Sequence, residues 1–234
     1  MKLSKTFALA SLLCVGCHTD PFYDHHHPYA DPTVNDDVYV NVPEADRDEI
    51  AKIRTEWNEL KDRVDIAERN VDQERQRLGV AKAELDAAEA GARAARKGLE
   101  VAYESDETIR QREIDSAQRN LEAARSQWLS AKSKIAFHDA NIDQLKAEVE
   151  LTKTRMDLAE SRMELAKAKA VHKLDRPETR DIAVSEFEAS VREHEARVAM
   201  AEVDAEAWQK KVKIRQEALD ARLQAREASF NAKD

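Results

Sequence analysis

The sequence predicts an all-α protein, in which a long antiparallel coiled-coil hairpin and a third long helix form an elongated three-helix rod. The first observation behind this prediction is composition: 36% of the 234 residues are charged, 5% are aromatic, and the chain holds 4 Gly and 5 Pro. Such a composition is typical of long charged helices and leaves little material for a conventional globular core. The second observation is that apolar residues after residue 44 recur at spacings of three and four, as they do in coiled coils.

The first long helix is predicted from a seam of residues that runs from Ile50 to Ala102 at heptad spacing. Glu74 is the only polar member of the seam. Its members are Ile50, Ile53, Trp57, Leu60, Val64, Ala67, Val71, Glu74, Leu78, Ala81, Leu85, Ala88, Ala92, Ala95, Leu99 and Ala102. A seam of this length indicates that the helix packs against a second helix along most of its course.

A second seam predicts that partner helix. It begins at Ile114, ends at Ala166 and includes His138. Between the two seams lies a polar interval, residues 103–112, that contains neither Gly nor Pro. The interval either turns the chain near residues 104–110 or adds a skip residue to one continuous helix.

Size matching favours the turn. In an antiparallel hairpin centred near Thr108, Trp57 faces Ala159 and Trp128 faces Ala88, so that large side chains meet small ones as close packing requires. Residues 44–174 are therefore predicted to form a long helical hairpin.

Glu74 and His138 fall in neighbouring layers of that hairpin. A partly buried pair of carboxylate and imidazole would fix the register of the two helices, as polar core residues do in coiled coils. The functional alternative for the same two residues is a pH sensor or a catalytic dyad.

The third long helix is predicted over residues 175–234. Asp175 is suited to the N-cap, Pro177 to the first turn and Glu178 to the position three after the cap. Its seam begins at Val184, and flanking apolar residues give it a broader face than a two-stranded seam uses. These flanking residues are Val203, Ile214 and Ala221. The breadth predicts that the helix packs onto both of the first two.

The chain begins with MKLSKTFALASLLCVGC, a basic start followed by an apolar run and a small residue before Cys17. This stretch resembles the signal peptide and lipobox of bacterial lipoproteins. The resemblance implies that residues 1–16 are removed and that Cys17 is diacylated and anchors the protein. Because His18 follows the cysteine where Asp would imply inner-membrane retention, it further implies the outer membrane, facing the periplasm. An ordinary secretory signal, which leaves Cys17 as a free thiol, is the alternative.

Residues 17–43 are predicted to combine the lipid anchor with a disordered tether, because Pro, Asp and Asn are frequent there. The alternating valines near its end are expected to pack loosely on the helices or to form a short strand. Within the tether, His25, His26 and His27 are possible ligands for Zn²⁺ or Cu²⁺. Three consecutive residues on a flexible chain offer no fixed geometry, so no metal and no cofactor is expected.

Charge and motifs restrict the function. The formal charge is −9, and loss of Lys2 and Lys5 with residues 1–16 brings the chain to −11, which argues against binding to nucleic acid. No catalytic motif is present, so the protein is not expected to be an enzyme.

Two functions remain. The first is a lipid-anchored periplasmic spacer or scaffold, similar to coiled-coil outer-membrane lipoproteins, with an unidentified envelope protein or peptidoglycan as partner and a homo-oligomer as a further option. The second is an adaptor whose hairpin tip docks a partner through Glu107, Arg110 and Arg112, similar to the helical hairpins of efflux adaptors.

Overall fold

The structure is a computed structural model that describes residues 31–174 and 176–231. Over these residues the protein is all-α. Its helices are α1 (Asp36–Tyr39), α2 (Asp48–Tyr103), α3 (Arg110–His172) and α4 (Val184–Asn231), with short 3₁₀ turns at Glu44–Asp46 and Pro177–Thr179. At about 1.5 Å per residue, each of the three long helices is roughly 70–95 Å long. The predicted fold class, a rod of three long helices, is confirmed.

Helices α2 and α3 form an antiparallel hairpin. Lys134 Nζ lies 2.7 Å from Glu84 Oε2, and Lys153 Nζ lies 2.8 Å from Glu68 Oε1. The residue number falls on one helix as it rises on the other, which is the signature of antiparallel packing. The turn is therefore the correct alternative, and the continuous helix with a skip residue is not.

The turn closes without glycine because side chains take up its polar groups. Backbone N–H groups of Ile109 and Arg110 both donate to the carbonyl of Asp106, at 3.1 and 2.9 Å. The Arg110 guanidinium donates to the carbonyl of Ser105 at 2.9 Å, and the Ser105 hydroxyl hydrogen-bonds the Glu113 carboxylate.

The third long helix begins later than the sequence predicts. Residues 177–179 form a single 3₁₀ turn, and α4 begins at Val184. The Thr179 hydroxyl accepts a hydrogen bond from the N–H of Arg176 at 3.1 Å and donates one to the carbonyl of Arg176 at 2.9 Å. The buried Thr179 thus hydrogen-bonds back to the start of the turn. Pro177 therefore begins a separate 3₁₀ turn and not helix α4. Asp175 lies outside the described residues.

Helix α4 packs along α3 and not along α2. Arg162 and Arg155 of α3 pair with Glu195 and Glu202 of α4 at 3.0 and 2.8 Å. Helices α2 and α4 have no comparable contact, so α3 is the central helix of the rod. The expectation that the third helix packs onto both others is wrong, because α4 buries only one narrow seam.

The flanking residues that prompted that expectation are exposed. Val203 and Ile214 keep 66% and 63% of their surface accessible, and Ala221 is exposed as well. They lie on the side of α4 that faces away from α3.

The end of the predicted tether is folded onto the helices. In the segment 31–47, called here the N-terminal strap, Val34 and Val42 are 6% and 1% exposed and belong to one core cluster with Val171 of α3 and Phe187 of α4. The expectation of a disordered tether up to residue 43 is therefore wrong for residues 34–43. Loose packing of the valines is wrong for Val42, whereas Val40 stays 68% exposed. The physical reason is that Val34 and Val42 bury apolar surface at the base of the rod.

Among residues 31–174 and 176–231, no helix combines the length and the apolarity needed to cross a membrane.

Candidate functional site: buried polar pairs between the helices

The first buried polar pair joins α2 to α3. His138 Nδ1 lies 2.6 Å from Glu74 Oε1, and the two residues are only 8% and 2% exposed. The Arg77 guanidinium reaches the other carboxylate oxygen of Glu74 at 3.1 Å. The sequence predicts that Glu74 and His138 lie in neighbouring layers of the hairpin. The structure brings them closer than that, into direct contact.

The environment of Glu74 favours its charged form. Burial alone would raise the pKa of this carboxyl group, but hydrogen bonds from Asn141 and His138, the charge of His138 and the hydrogen bond from Arg77 together lower the pKa below its ordinary value of 4.5. The carboxylate therefore remains ionised inside the helix interface at neutral pH.

The position of the Glu74–His138 pair is suited to fixing the register of α2 against α3. Val71, Ile142 and Val149 form an apolar cluster along the same interface, where a slip of the helices would leave the Glu74 carboxylate without its donors. Breaking a buried pair is costly because the remaining charge is left uncompensated. The pair can therefore hold the two helices in one register.

A second polar cluster, unforeseen from the sequence, joins the N-terminal strap to α3 and α4. Ser190 of α4 donates to Asp31 at 3.0 Å, His194 Nε2 lies 3.3 Å from the same carboxylate, and the hydroxyls of Ser161 and Ser190 are 3.3 Å apart. Asp31 belongs to a stretch that reads as a tether, so its pattern gives no signal of this contact.

Asp157 lies near that cluster. Burial raises the pKa of its carboxyl group, while the charges of His194 and Arg197 act in the opposite direction. Nδ1 of His194 is buried and makes no hydrogen bond within the described part of the chain. The cluster places a carboxylate, an imidazole and two hydroxyls together. Ser190 and His194 both contact the Asp31 carboxylate, and Ser161 hydrogen-bonds Ser190. Within the described residues no hydroxyl is paired with the imidazole as a nucleophile would be.

A third pair holds the strap to the end of α3. Glu164 Oε2 accepts the backbone N–H of Val34 at 2.8 Å, and Glu164 Oε1 lies 2.6 Å from Lys167 Nζ. Lys167 also lies 5.7 Å from the centre of the Tyr39 ring. Heptad counting treats these i, i+3 charges as solvated surface, whereas the strap buries both of them.

The three residues predicted at the hairpin tip lie at or beside the turn, and two of them take no part in closing it. Arg110 closes the turn, as described above. Glu107 and Arg112 are exposed. Beside them, an open groove of about 400 Å³ runs between the ends of α2 and α3, lined by Ala94, Gly98, Val101, Ser116 and Asn120 among others.

Several predicted residues lie outside the described residues, namely Cys17 and the three consecutive histidines His25, His26 and His27. Within residues 31–174 and 176–231, no group of three His, Cys, Asp or Glu side chains is arranged to hold a metal ion.

The fold and its polar pairs define a class, an antiparallel helical hairpin with a third helix along one of its arms. Comparison with known proteins adds no relative to this class: no family model, no curated protein and no solved structure matches the chain.

Proposed function

We propose that the protein is a lipid-anchored periplasmic spacer or scaffold of the bacterial outer membrane, which acts through the length and the surfaces of its helices. The observation that supports this most is the hairpin of α2 and α3, whose two arms of 56 and 63 residues stay paired from base to tip. The lipobox resemblance at Cys17 supplies the anchor in this proposal.

In this proposal the strap at the base of the rod is joined to the anchor through a short stretch of chain. Residues 18–30 separate Cys17 from the strap, and 13 extended residues reach roughly 40 Å at about 3.1 Å each. Val42 of the strap packs at the end of the rod where α2 begins and α3 ends. In this proposal the base stays near the membrane, and the hairpin tip is the distant end.

Labelling with palmitate tests the anchor. We expect the chain to incorporate labelled palmitate in a bacterial host and to fractionate with outer membranes, and the Cys17→Ala variant to do neither. Label that persists in Cys17→Ala, or a wild-type chain without label, would refute the anchoring half of the proposal.

Paired deletions test the spacer half. Removing residues 80–86 from α2 together with residues 131–137 from α3 keeps the heptad phase and shortens the hairpin by about 10 Å. The gap that the protein spans, measured by electron cryotomography of the envelope, should narrow by a similar amount. An unchanged gap, with the shortened protein present at the normal level, would exclude a spacer.

An adaptor that docks a partner through the hairpin tip is the second candidate. The tip projects past α4: the pairing of Arg155 with Glu202 places the C-terminal end of α4 well short of the turn. Val101, Tyr103 and Ile109 remain 64%, 55% and 49% exposed there. Three large apolar side chains around one exposed turn are a typical protein contact surface.

Charge reversal at the tip distinguishes the two functions. The variant Glu107→Arg/Arg112→Glu leaves Arg110, and therefore the turn, intact. If the tip docks a partner, crosslinking from Tyr103 to that partner is lost in this variant. The matched control, Arg54→Glu/Glu56→Arg, changes exposed charges near the opposite end of α2 and should leave crosslinking unchanged. Equal crosslinking in both variants would exclude tip docking.

A further inference from the structure

Helix α4 has apolar residues on two opposite faces. Within the described residues, α3 covers one of these faces and the other is exposed. The covered face packs on α3 and repeats every seven residues, at Val198, Ala205, Val212 and Leu219. The other face, called here the outer face, is exposed along the length of the helix. Its members are Ala189, Ala196, Met200, Val203, Ala207, Ile214, Ala218, Ala221 and Ala225.

The outer face contains large side chains as well as alanines. Met200, Val203 and Ile214 expose 62%, 66% and 63% of their surface. The spacings of three, four and seven along the whole outer face are those of a coiled-coil seam, and a helix that is apolar on opposite sides is generally covered on both. An exposed apolar stripe of this kind indicates a helical partner.

The charges beside the outer face identify what that partner is. Asp204 and Glu206 precede Ala207, whereas Lys210, Lys211 and Lys213 follow it, so the sign of the charge reverses near the middle of the face. Two copies of α4 side by side in parallel would place acid against acid and base against base. Two antiparallel copies, related by a two-fold axis near Ala207, would place Asp204 of each copy beside Lys211 of the other.

The same axis matches the apolar residues. It places Met200 of one copy opposite Ile214 of the other, and Ala196 opposite Ala218, while Ala207 meets its own counterpart. A small residue at the axis lets the two backbones approach, and the larger residues lie on either side of it. An interface of this type is isologous, as in most two-fold dimers.

We propose that the outer face of α4 is a homodimer interface, in which two chains pair antiparallel about Ala207. The charges of Asp204 and Lys211 set the antiparallel direction, and Met200, Val203 and Ile214 supply the apolar contact. The proposal is independent of lipidation, because it uses only residues of α4.

Sedimentation of the full chain carrying Cys14→Ser and Cys17→Ser tests whether the dimer exists. We expect a dimer whose dissociation constant rises by roughly tenfold or more in Met200→Glu/Ile214→Glu. The matched control, Ile66→Glu/Val80→Glu, changes two exposed apolar residues of α2 and should leave the dimer intact. A monomer at all concentrations, or a dimer that only the control variant breaks, would overturn the proposal.

Cysteine crosslinking in the same background tests the direction. Ala207→Cys should crosslink with itself, Ala196→Cys alone should not, and a mixture of Ala196→Cys with Ala218→Cys should. A parallel dimer would instead crosslink Ala196→Cys with itself, and that result would refute the antiparallel arrangement.

Charge exchange gives an independent readout of the same contact. Asp204→Lys alone should weaken the dimer, and Asp204→Lys/Lys211→Asp should restore it, because the opposite charges then meet again. A double variant as weak as the single one would show that these two side chains do not meet across the interface.

Discussion

At the scale of single residues, the contact between Glu74 and His138 is the most informative in the molecule. A carboxylate that is 2% exposed is tolerated between two helices only when donors surround it. His138, Asn141 and Arg77 provide them. The pair therefore specifies one register of the hairpin more than it adds to the free energy of unfolding, since apolar residues of similar volume would stabilise the interface as well.

Removing one partner of this pair should be more damaging than removing both. His138→Leu leaves the Glu74 carboxylate buried with fewer donors, and we expect the free energy of unfolding to fall by about 3 kcal/mol. The double variant Glu74→Leu/His138→Leu should lie close to wild type. Urea unfolding measures both, with the exposed His172→Leu as control. A single variant as stable as the double one would contradict a buried, coupled pair.

The lowered pKa of Glu74 makes part of the stability dependent on pH. A carboxyl group whose pKa is lower in the folded protein contributes stability above its unfolded value, here 4.5, and loses that contribution as the pH falls through the folded pKa. The difference in unfolding free energy between wild type and Glu74→Gln should thus shrink as the pH falls below 4.5. Asp157 acts in the opposite direction, because its pKa is raised, so the difference between the two proteins is the quantity to measure. A difference that grows in acid would contradict the assigned sign.

At the scale of elements, the long seams were predictable and their ends were not. Heptad spacing depends on local periodicity, which Ile50 to Ala102 and Ile114 to Ala166 display over many turns. The same register argument placed Glu74 and His138 in neighbouring layers, and the structure brings them into direct contact.

The later start of α4 and the packing of the strap depend on individual side-chain contacts and not on heptad periodicity. Thr179 closes a turn through its own hydroxyl, and Val34 is held by a buried carboxylate 130 residues away. Such contacts leave no periodic trace in the sequence. For the outer face of α4 the periodicity was visible but its interpretation was wrong. Val203 and Ile214 were recognised as apolar, but periodicity alone does not say which neighbour covers a face.

The strap gives a test with a matched pair of residues. Val42 is 1% exposed and Val40 is 68% exposed, and the two are separated by one residue. Val42→Ala should lower the free energy of unfolding by about 2 kcal/mol, because it leaves a cavity at the base of the rod, whereas Val40→Ala should change it little. Calorimetry compares them directly. Equal effects of the two substitutions would indicate that the strap does not pack as described.

At the scale of the whole molecule, α3 is the central helix of the rod, against which α2 and α4 both pack. Among the helices of the described residues, it is the long helix with extensive contacts to both others, and the strap packs against its end near Val171. The hairpin is covered by α4 near the base and bare near the tip. This arrangement leaves two surfaces for other molecules, the tip around Tyr103 and the outer face of α4, which serve the adaptor and the dimer proposals respectively.

We propose that acyl groups at Cys17 hold one end of the rod near the membrane while the hairpin tip lies far from it. Energy transfer to a headgroup acceptor in membrane vesicles measures this directly, from a donor on Lys173→Cys at the base or on Glu107→Cys at the tip. In the proposed lipoprotein an acylated Cys17 has no free thiol and Cys14 is removed with the signal peptide, so only the introduced cysteine is labelled. We predict strong transfer from the base and little from the tip, which lies about 90 Å further along α3. Equal transfer from both positions would contradict the account.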